Sequence, residues 1–87
     1  MEKPVVYGTA LCGYCMLARR LLDRKGVEFE DRRIDHDPQL RVEMEQRSGG
    51  SHRVPQIFIG ERHVGGYTDL VELDGEGELD VLLGLPE

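Results

Sequence analysis

Two cysteines three positions apart, Cys12 and Cys15, are the residues of this 87-residue chain best placed to do chemistry. A disulfide between them would close so short a loop that it would restrain the unfolded chain little, so thiol chemistry explains the pair better than stapling does. Val5-Val6-Tyr7 reads as a short strand running into Gly8, and the residues after Cys15 read as an amphipathic helix. The pair thus sits at a strand-to-helix turn, the setting in which C-x-x-C carries redox meaning. A thiolate at Cys12 would face the unpaired amide protons of the first helical turn and the positive end of the helix dipole, which marks it as the nucleophile. Cys15, one turn further in, can attack a mixed disulfide at Cys12 and release the reduced substrate. The competing reading is half of a zinc site completed by two groups from His36, His52, His63 and the carboxylates. Structural zinc takes four protein ligands and no second cysteine pair is present, so the redox reading leads and no metal site is expected.

Three further features bear on what such a thiol would meet. Gly13 stands between the cysteines where proline would stiffen the helix start, and Tyr14 is either an exposed aromatic wall for a thiol-bearing substrate or an anchor for the loop. Val54-Pro55 precedes a strand-like run. A trans bond is its ordinary state, whereas a cis bond would turn the Val54 backbone toward whatever occupies Cys12, where a peptide-like thiol can pair with it. Gly65-Gly66-Tyr67-Thr68-Asp69 joins a diglycine turn, open to close approach by a ligand, to a helix start friendly to anions, and Arg41 can supply a cation. Taken alone, glycine turns and surface arginines are more often just that.

These groups need a scaffold, and the patterning supplies one. Lys3 to Tyr7 reads as a strand; Met16, Leu17, Ala18, Leu21 and Leu22 form an apolar stripe opposite Arg19, Arg20, Asp23, Arg24 and Lys25, a helix of about three turns with Gly26 as its C-cap. Val27-Glu28-Phe29-Glu30 alternates as a half-buried strand would. Asp37-Pro38 looks like an N-cap followed by proline at the first helical position, with Leu40, Met44 and either Val42 or Arg47 marking a mostly polar helix that stops at Gly49-Gly50. Gln56-Ile57-Phe58-Ile59 is strand-like, and Gly60-Glu61 turns it toward Arg62-His63-Val64. Thr68 is the expected cap of a third helix through Leu73, and Glu78 to Leu85 carries enough leucine for a last short one. The order is β-α-β-α-β-β-α with a terminal helical addition, in which a helical crossover gives a parallel strand pair and the hairpin completes a mixed sheet.

Length and composition bound the function. One domain over residues 1–87 is expected, with 39% hydrophobic residues sufficing for a modest core under covering helices. Seventeen acidic residues against 11 basic ones give a net charge of -6, and no polybasic run interleaved with aromatics appears, so nucleic acid is not an expected partner. The apolar blocks fall far short of the roughly 20 residues that span a bilayer, and Met-Glu-Lys-Pro does not begin a basic-then-hydrophobic leader, so no membrane partner and a cytoplasmic location are the expectations.

Read in order, Val6-Tyr7 five residues before Cys12, the Cys12-Gly13-Tyr14-Cys15 centre, Leu21-Leu22 with Lys25-Gly26-Val27, Glu43-Met44 before Arg47-Ser48-Gly49, Val54-Pro55-Gln56-Ile57-Phe58-Ile59, Gly65-Gly66-Tyr67-Thr68-Asp69-Leu70, and Leu73-Asp74 through Leu79-Asp80 and Leu82-Leu83 resemble the glutaredoxin family. The similarity is strongest to small bacterial dithiol glutaredoxins of the third type and covers nearly the whole chain. It implies an α/β, thioredoxin-like fold with a four-stranded mixed sheet flanked by helices, and a cis bond at Val54-Pro55. It also implies a monomeric glutathione-dependent oxidoreductase of protein disulfides and glutathionylated proteins, with glutathione as reducing co-substrate and no permanently bound cofactor. By the resemblance, Cys12 attacks and Cys15 resolves. Tyr14 borders the glutathione groove, Val54, ahead of Pro55, offers backbone hydrogen bonds to the cysteinyl part, and Gly66, Tyr67, Thr68 and Asp69 receive the γ-glutamyl end. Arg41 approaches the glycine carboxylate.

The chain departs from the family pattern in places. Gly13 replaces the usual proline, and Thr9 stands where many members carry a lysine, leaving thiolate stabilisation to the helix terminus and Arg41. The stretch from Gly49 to Val54 is one residue longer than common, and Arg53 replaces a frequent threonine; it either restores positive charge near the groove or points to solvent. A non-proline centre also resembles glutaredoxins that share a [2Fe-2S] cluster between two monomers, held by Cys12 of each chain and two glutathione thiols, so cluster binding or transfer is the alternative function.

Overall fold

β-Branched and aromatic residues in Pro4–Gly8 make the first strand, β1, and a thiol-capped amphipathic run makes the first helix, α1, over Gly13–Arg24. The computed structural model describes residues 3–86; Met1, Glu2 and Glu87 of the expected 1–87 domain lie outside the described residues. Next come β2 (Glu30–Arg33), α2 (Pro38–Arg47), β3 (Gln56–Ile59), β4 (Arg62–Gly65), α3 (Tyr67–Gly75) and α4 (Glu78–Leu83). The sheet order is β2-β1-β3-β4, with β1 parallel to β2 and antiparallel to β3, and β3 antiparallel to β4. This is the four-stranded mixed sheet flanked by helices that the resemblance implies. β3 is buried along its whole length, which is why it reads as a continuous run rather than an alternation, while the edge strands β2 and β4 carry the charges.

Alternate residues of the central strands feed two cores. Val6 and Ile57 face α1, α3 and α4, where Ala18, Leu22, Leu70 and Leu79 close around them. Tyr7 and Phe58 face α2, where they meet Met44 and Ile34. Asp37 caps α2 by accepting from the Gln39 amide at 2.9 Å, and Pro38 is the first helical residue, as expected. Of the two alternatives for the inner face of α2, Arg47 is the one that packs: its guanidinium lies 4.1 Å from the Phe58 ring centroid, whereas Val42 is exposed.

Several expectations need correction. Met16 and Leu17 are exposed, because at about 100° per residue they point away from the stripe made by Cys15, Ala18, Leu21 and Leu22. Gly26 is not the C-cap; Lys25 is, and Gly26 follows it with φ of 74°. The second strand begins only at Glu30. The Val27 amide bonds back to the Leu22 carbonyl at the end of α1, so Val27 and Phe29 pack half-buried against the core from a loop instead of a ladder. Thr68 does not cap α3. Gly66 is the N-cap residue and Thr68 lies inside the first turn. The last helix ends at Leu83, before Gly84 with φ of 69°.

Candidate active site

Cys12 occupies the N-cap of α1 with extended backbone, so its side chain takes the place where serine or aspartate usually accepts from the first turn. Its sulfur accepts the Cys15 backbone N–H at 3.2 Å and lies 3.9 Å from the Val54 carbonyl oxygen. Both cysteines are free thiols; Cys12 is half-buried and Cys15 is entirely buried. Burial pushes the Cys15 thiol up to about 12, reinforced by its hydrogen bond to Cys12 and opposed by the Thr9 amide and the Arg19 charge. The pair is therefore asymmetric, with one sulfur open to attack a substrate and the other held protonated behind it. The Val54-Pro55 bond is cis, as the resemblance implies.

A groove of about 440 Å³ runs from Val54 to the start of α3, a size suited to a small ligand. It brings together Tyr14, Val54, Pro55, Gly66, Tyr67, Thr68 and Asp69, seven residues singled out from the sequence. Tyr14 is exposed and tilts toward Tyr67 with ring centroids 6.1 Å apart, forming the wall rather than a buried anchor. At the far end the Asp69 carboxylate accepts the Gly66 amide at 2.9 Å, and Gly65, with φ of 113°, has no room for a Cβ beside that carboxylate, so glycine is needed for the turn to close.

Arg41 is not among the groove residues. It is exposed on α2, and Arg53 supplies the arginine in the lining instead. The Arg53 amide donates to Ser51 Oγ at 3.3 Å and its carbonyl accepts Gln56 Nε2 at 3.0 Å, which holds its backbone at the groove edge while the side chain stays exposed. Gln56 and His63 are lining residues the sequence did not reveal. Gln56 spends both amide protons on Ser51 Oγ and the Arg53 carbonyl, so its Oε1 accepts from His63 Nε2 at 2.6 Å and His63 carries its proton there. His63 also stacks on Phe58 at 4.6 Å. A polar residue heading an apolar run was the available signal, but its partner depends on the β3–β4 register. His36 and His52 pair separately with Asp35 and Glu45, and among the described residues no three His, Cys, Asp or Glu side chains gather as a metal set.

Comparison with known proteins adds the family. The glutaredoxin family model matches residues 5–64. The chain belongs to the glutaredoxin family. It is 52% identical over 83 residues to a glutaredoxin of Pseudomonas aeruginosa, covering 95% of this chain and 98% of that one. It is 47% identical to glutaredoxin 3 of Escherichia coli, covering 95% and 99% respectively. A crystal structure of a buckwheat glutaredoxin-glutathione complex superposes with a TM-score of 0.85 at 28% identity, covering 95% of this chain and 77% of that one. Membership brings thiol-disulfide oxidoreductase activity and places the sheet and helices in the thioredoxin-like fold.

Proposed function

We propose that the chain uses glutathione to reduce protein disulfides and protein-glutathione mixed disulfides, with Cys12 as nucleophile and Cys15 as resolving thiol. The observation that carries this reading is the groove that starts at Val54, 3.9 Å from the Cys12 sulfur, and ends at the first turn of α3. A peptide thiol laid along it sets its sulfur toward Cys12, so thiol exchange becomes oriented rather than a random encounter. The Val54 backbone suits the cysteinyl amide, the amides opening α3 suit the γ-glutamyl carboxylate, Asp69 suits its ammonium, and Arg53 suits the glycine carboxylate. The buckwheat protein's complex with glutathione supports the ligand.

With a glutathionylated protein, Cys12 attacks the glutathione sulfur, the S–S bond breaks and the protein thiol leaves. A second glutathione then attacks that sulfur, forming oxidised glutathione and regenerating Cys12. With a protein disulfide, Cys12 forms a mixed disulfide with one substrate sulfur, and Cys15 displaces it to give Cys12–Cys15 and a fully reduced substrate; two glutathione thiols then restore the dithiol and leave as oxidised glutathione.

The test is steady-state glutathione-dependent turnover of both substrate types by wild type, C12S and C15S. C12S is expected to lose both activities, and C15S to lose protein-disulfide reduction while keeping most deglutathionylation. A fully active C12S, or equal loss in C15S on both substrates, would overturn the mechanism. The alternative, a [2Fe-2S] cluster shared by two chains, draws on Cys12 as the accessible one of the two cysteines; iron-dependent colour and dimerisation on anaerobic reconstitution with sulfide and glutathione would support it.

A further inference from the structure

Arg19 lies one turn beyond Cys15 on α1 and does not share the fate of its neighbours. Arg20 and Arg24 are exposed, whereas the Arg19 side chain is 13% exposed and turned in along β1. Its Nε donates to Asp31 Oδ1 on β2 at 3.0 Å, and its Nη2 donates to the Thr9 carbonyl at 3.2 Å, just after β1. Asp31 is itself held from the other side by Arg33 at 3.0 Å. A Cβ built on Gly8 would stand 2.8 Å from Cys15 Sγ and 3.0 Å from Arg19 Nη2. The buried thiol and the guanidinium edge therefore converge on one point beside β1, in space that only a glycine leaves open.

We propose that Arg19 is a positioning residue for the resolving step, setting a fixed positive charge and the Thr9 backbone beside the Cys15 sulfur while that sulfur attacks Cys12. The proposal rests on the dithiol mechanism above and deepens it. In the step itself Cys15 gives its proton to solvent and its sulfur bonds to Cys12 Sγ. The bond from Cys12 Sγ to the substrate sulfur breaks, and the substrate leaves as a thiolate that takes a proton from water. Two electrons pass from the dithiol to the substrate disulfide. Negative charge travels through a buried site in this step, where a desolvated carboxylate or no partner at all would oppose it and a held guanidinium favours it. Direct attack by Cys12 on a glutathionylated protein makes no use of the Cys15 sulfur. Arg19 therefore separates the two routes: it serves protein-disulfide reduction and is dispensable for deglutathionylation.

The experiment compares full-length R19M, which keeps most of the aliphatic stem, with R19K, which keeps the charge, and with C15S and R19M/C15S. Each is assayed on a protein disulfide and on a protein carrying one glutathionylated cysteine, with urea midpoints measured alongside. R19M is expected to lose roughly tenfold in protein-disulfide reduction, the scale of one charge-assisted contact, and to stay within about twofold on the glutathionylated protein. R19K is expected to recover most of the lost rate, and R19M to change nothing further in the C15S background. Equal loss on both substrates, R19K no better than R19M, or an R19M effect that persists without Cys15 would each overturn the proposal. If R19M does not fold, R19K against wild type on the two substrates decides: a rate kept on both supports the charge, and a loss on both assigns Arg19 to structure alone. Failure of the underlying mechanism shows separately, as a C15S chain that reduces protein disulfides at the wild-type rate.

Discussion

Arg53 and Arg41 are the same residue type, and only one of them reaches the groove. Both are exposed, but Arg41 sits on α2 outside the groove lining, whereas Arg53 lines the groove from a loop whose backbone is held by hydrogen bonds at its amide and its carbonyl. R53A is accordingly expected to raise the glutathione concentration needed for half-maximal turnover about fivefold with little change in kcat, and R41A to leave it unchanged; steady-state glutathione titrations read both. An unmoved R53A curve would remove Arg53 from ligand contact. The cysteines were legible as a pair because their roles depend on a helix start within three residues of each other. Arg53 was legible only as two alternatives, since its direction depends on Gln56 and Ser51 holding the loop.

At the scale of elements, the start of α3 shows how a cap and a ligand site share atoms. Asp69, at the third helical position, accepts the Gly66 amide and also lines the groove, while Thr68 lines the groove without capping. D69A is expected to cost about 1 kcal/mol of stability in urea unfolding, the usual value of such a capping contact, and also to weaken glutathione dependence. T68A is expected to stay within about 0.5 kcal/mol of wild type, and a larger loss would return Thr68 to the capping role. Sequence pattern located this helix correctly and misassigned its cap, because Thr and Asp both carry a capping oxygen and the diglycine turn decides which one arrives. The same limit applies to Val27-Glu28-Phe29-Glu30. Alternation correctly marked Val27 and Phe29 as inward-facing, but strand pairing is set by the register Val5 to Glu30, which no local pattern contains.

For the molecule as a whole, groups held in the folded chain limit stability at both ends of the pH range. Under α2 the buried Tyr7 hydroxyl donates to Glu43 and accepts from Arg32 and Arg47, and that hydroxyl, followed by Arg32, holds the Glu43 carboxyl below its ordinary 4.5. This contribution is present above about pH 4.5 and is lost as pH falls through the lower folded value. On the active-site side, Cys15 is raised from 9.0 to about 12, so the unfolded chain releases that proton first and stability declines as pH climbs above 9.0 toward 12. Tyr7, raised from 10.0 chiefly by burial, adds to the alkaline decline. The urea midpoint is expected to be highest between about pH 5 and 9, with E43Q flattening the acid limb and C15S the alkaline one. An unchanged alkaline limb in C15S would mean that the buried thiol does not govern it.

What the amino-acid sequence determined by itself is what acts within a few residues: the strand ending at Gly8, the helix opening at Cys12, the Asp37-Pro38 start of α2, and the paired thiols with their likeness to glutaredoxins. Hydrophobic period, proline geometry and capping oxygens operate over one or two turns, so they can be read along the chain. Only the tertiary structure decided which arginine faces the groove, where β2 begins, that Gln56 and His63 pair across β3 and β4, and that Cys12 stands against Val54, 42 positions away. Those outcomes follow from sheet register and from which loop ends meet. Register and loop closure balance packing over the whole chain, a sum that no local window holds.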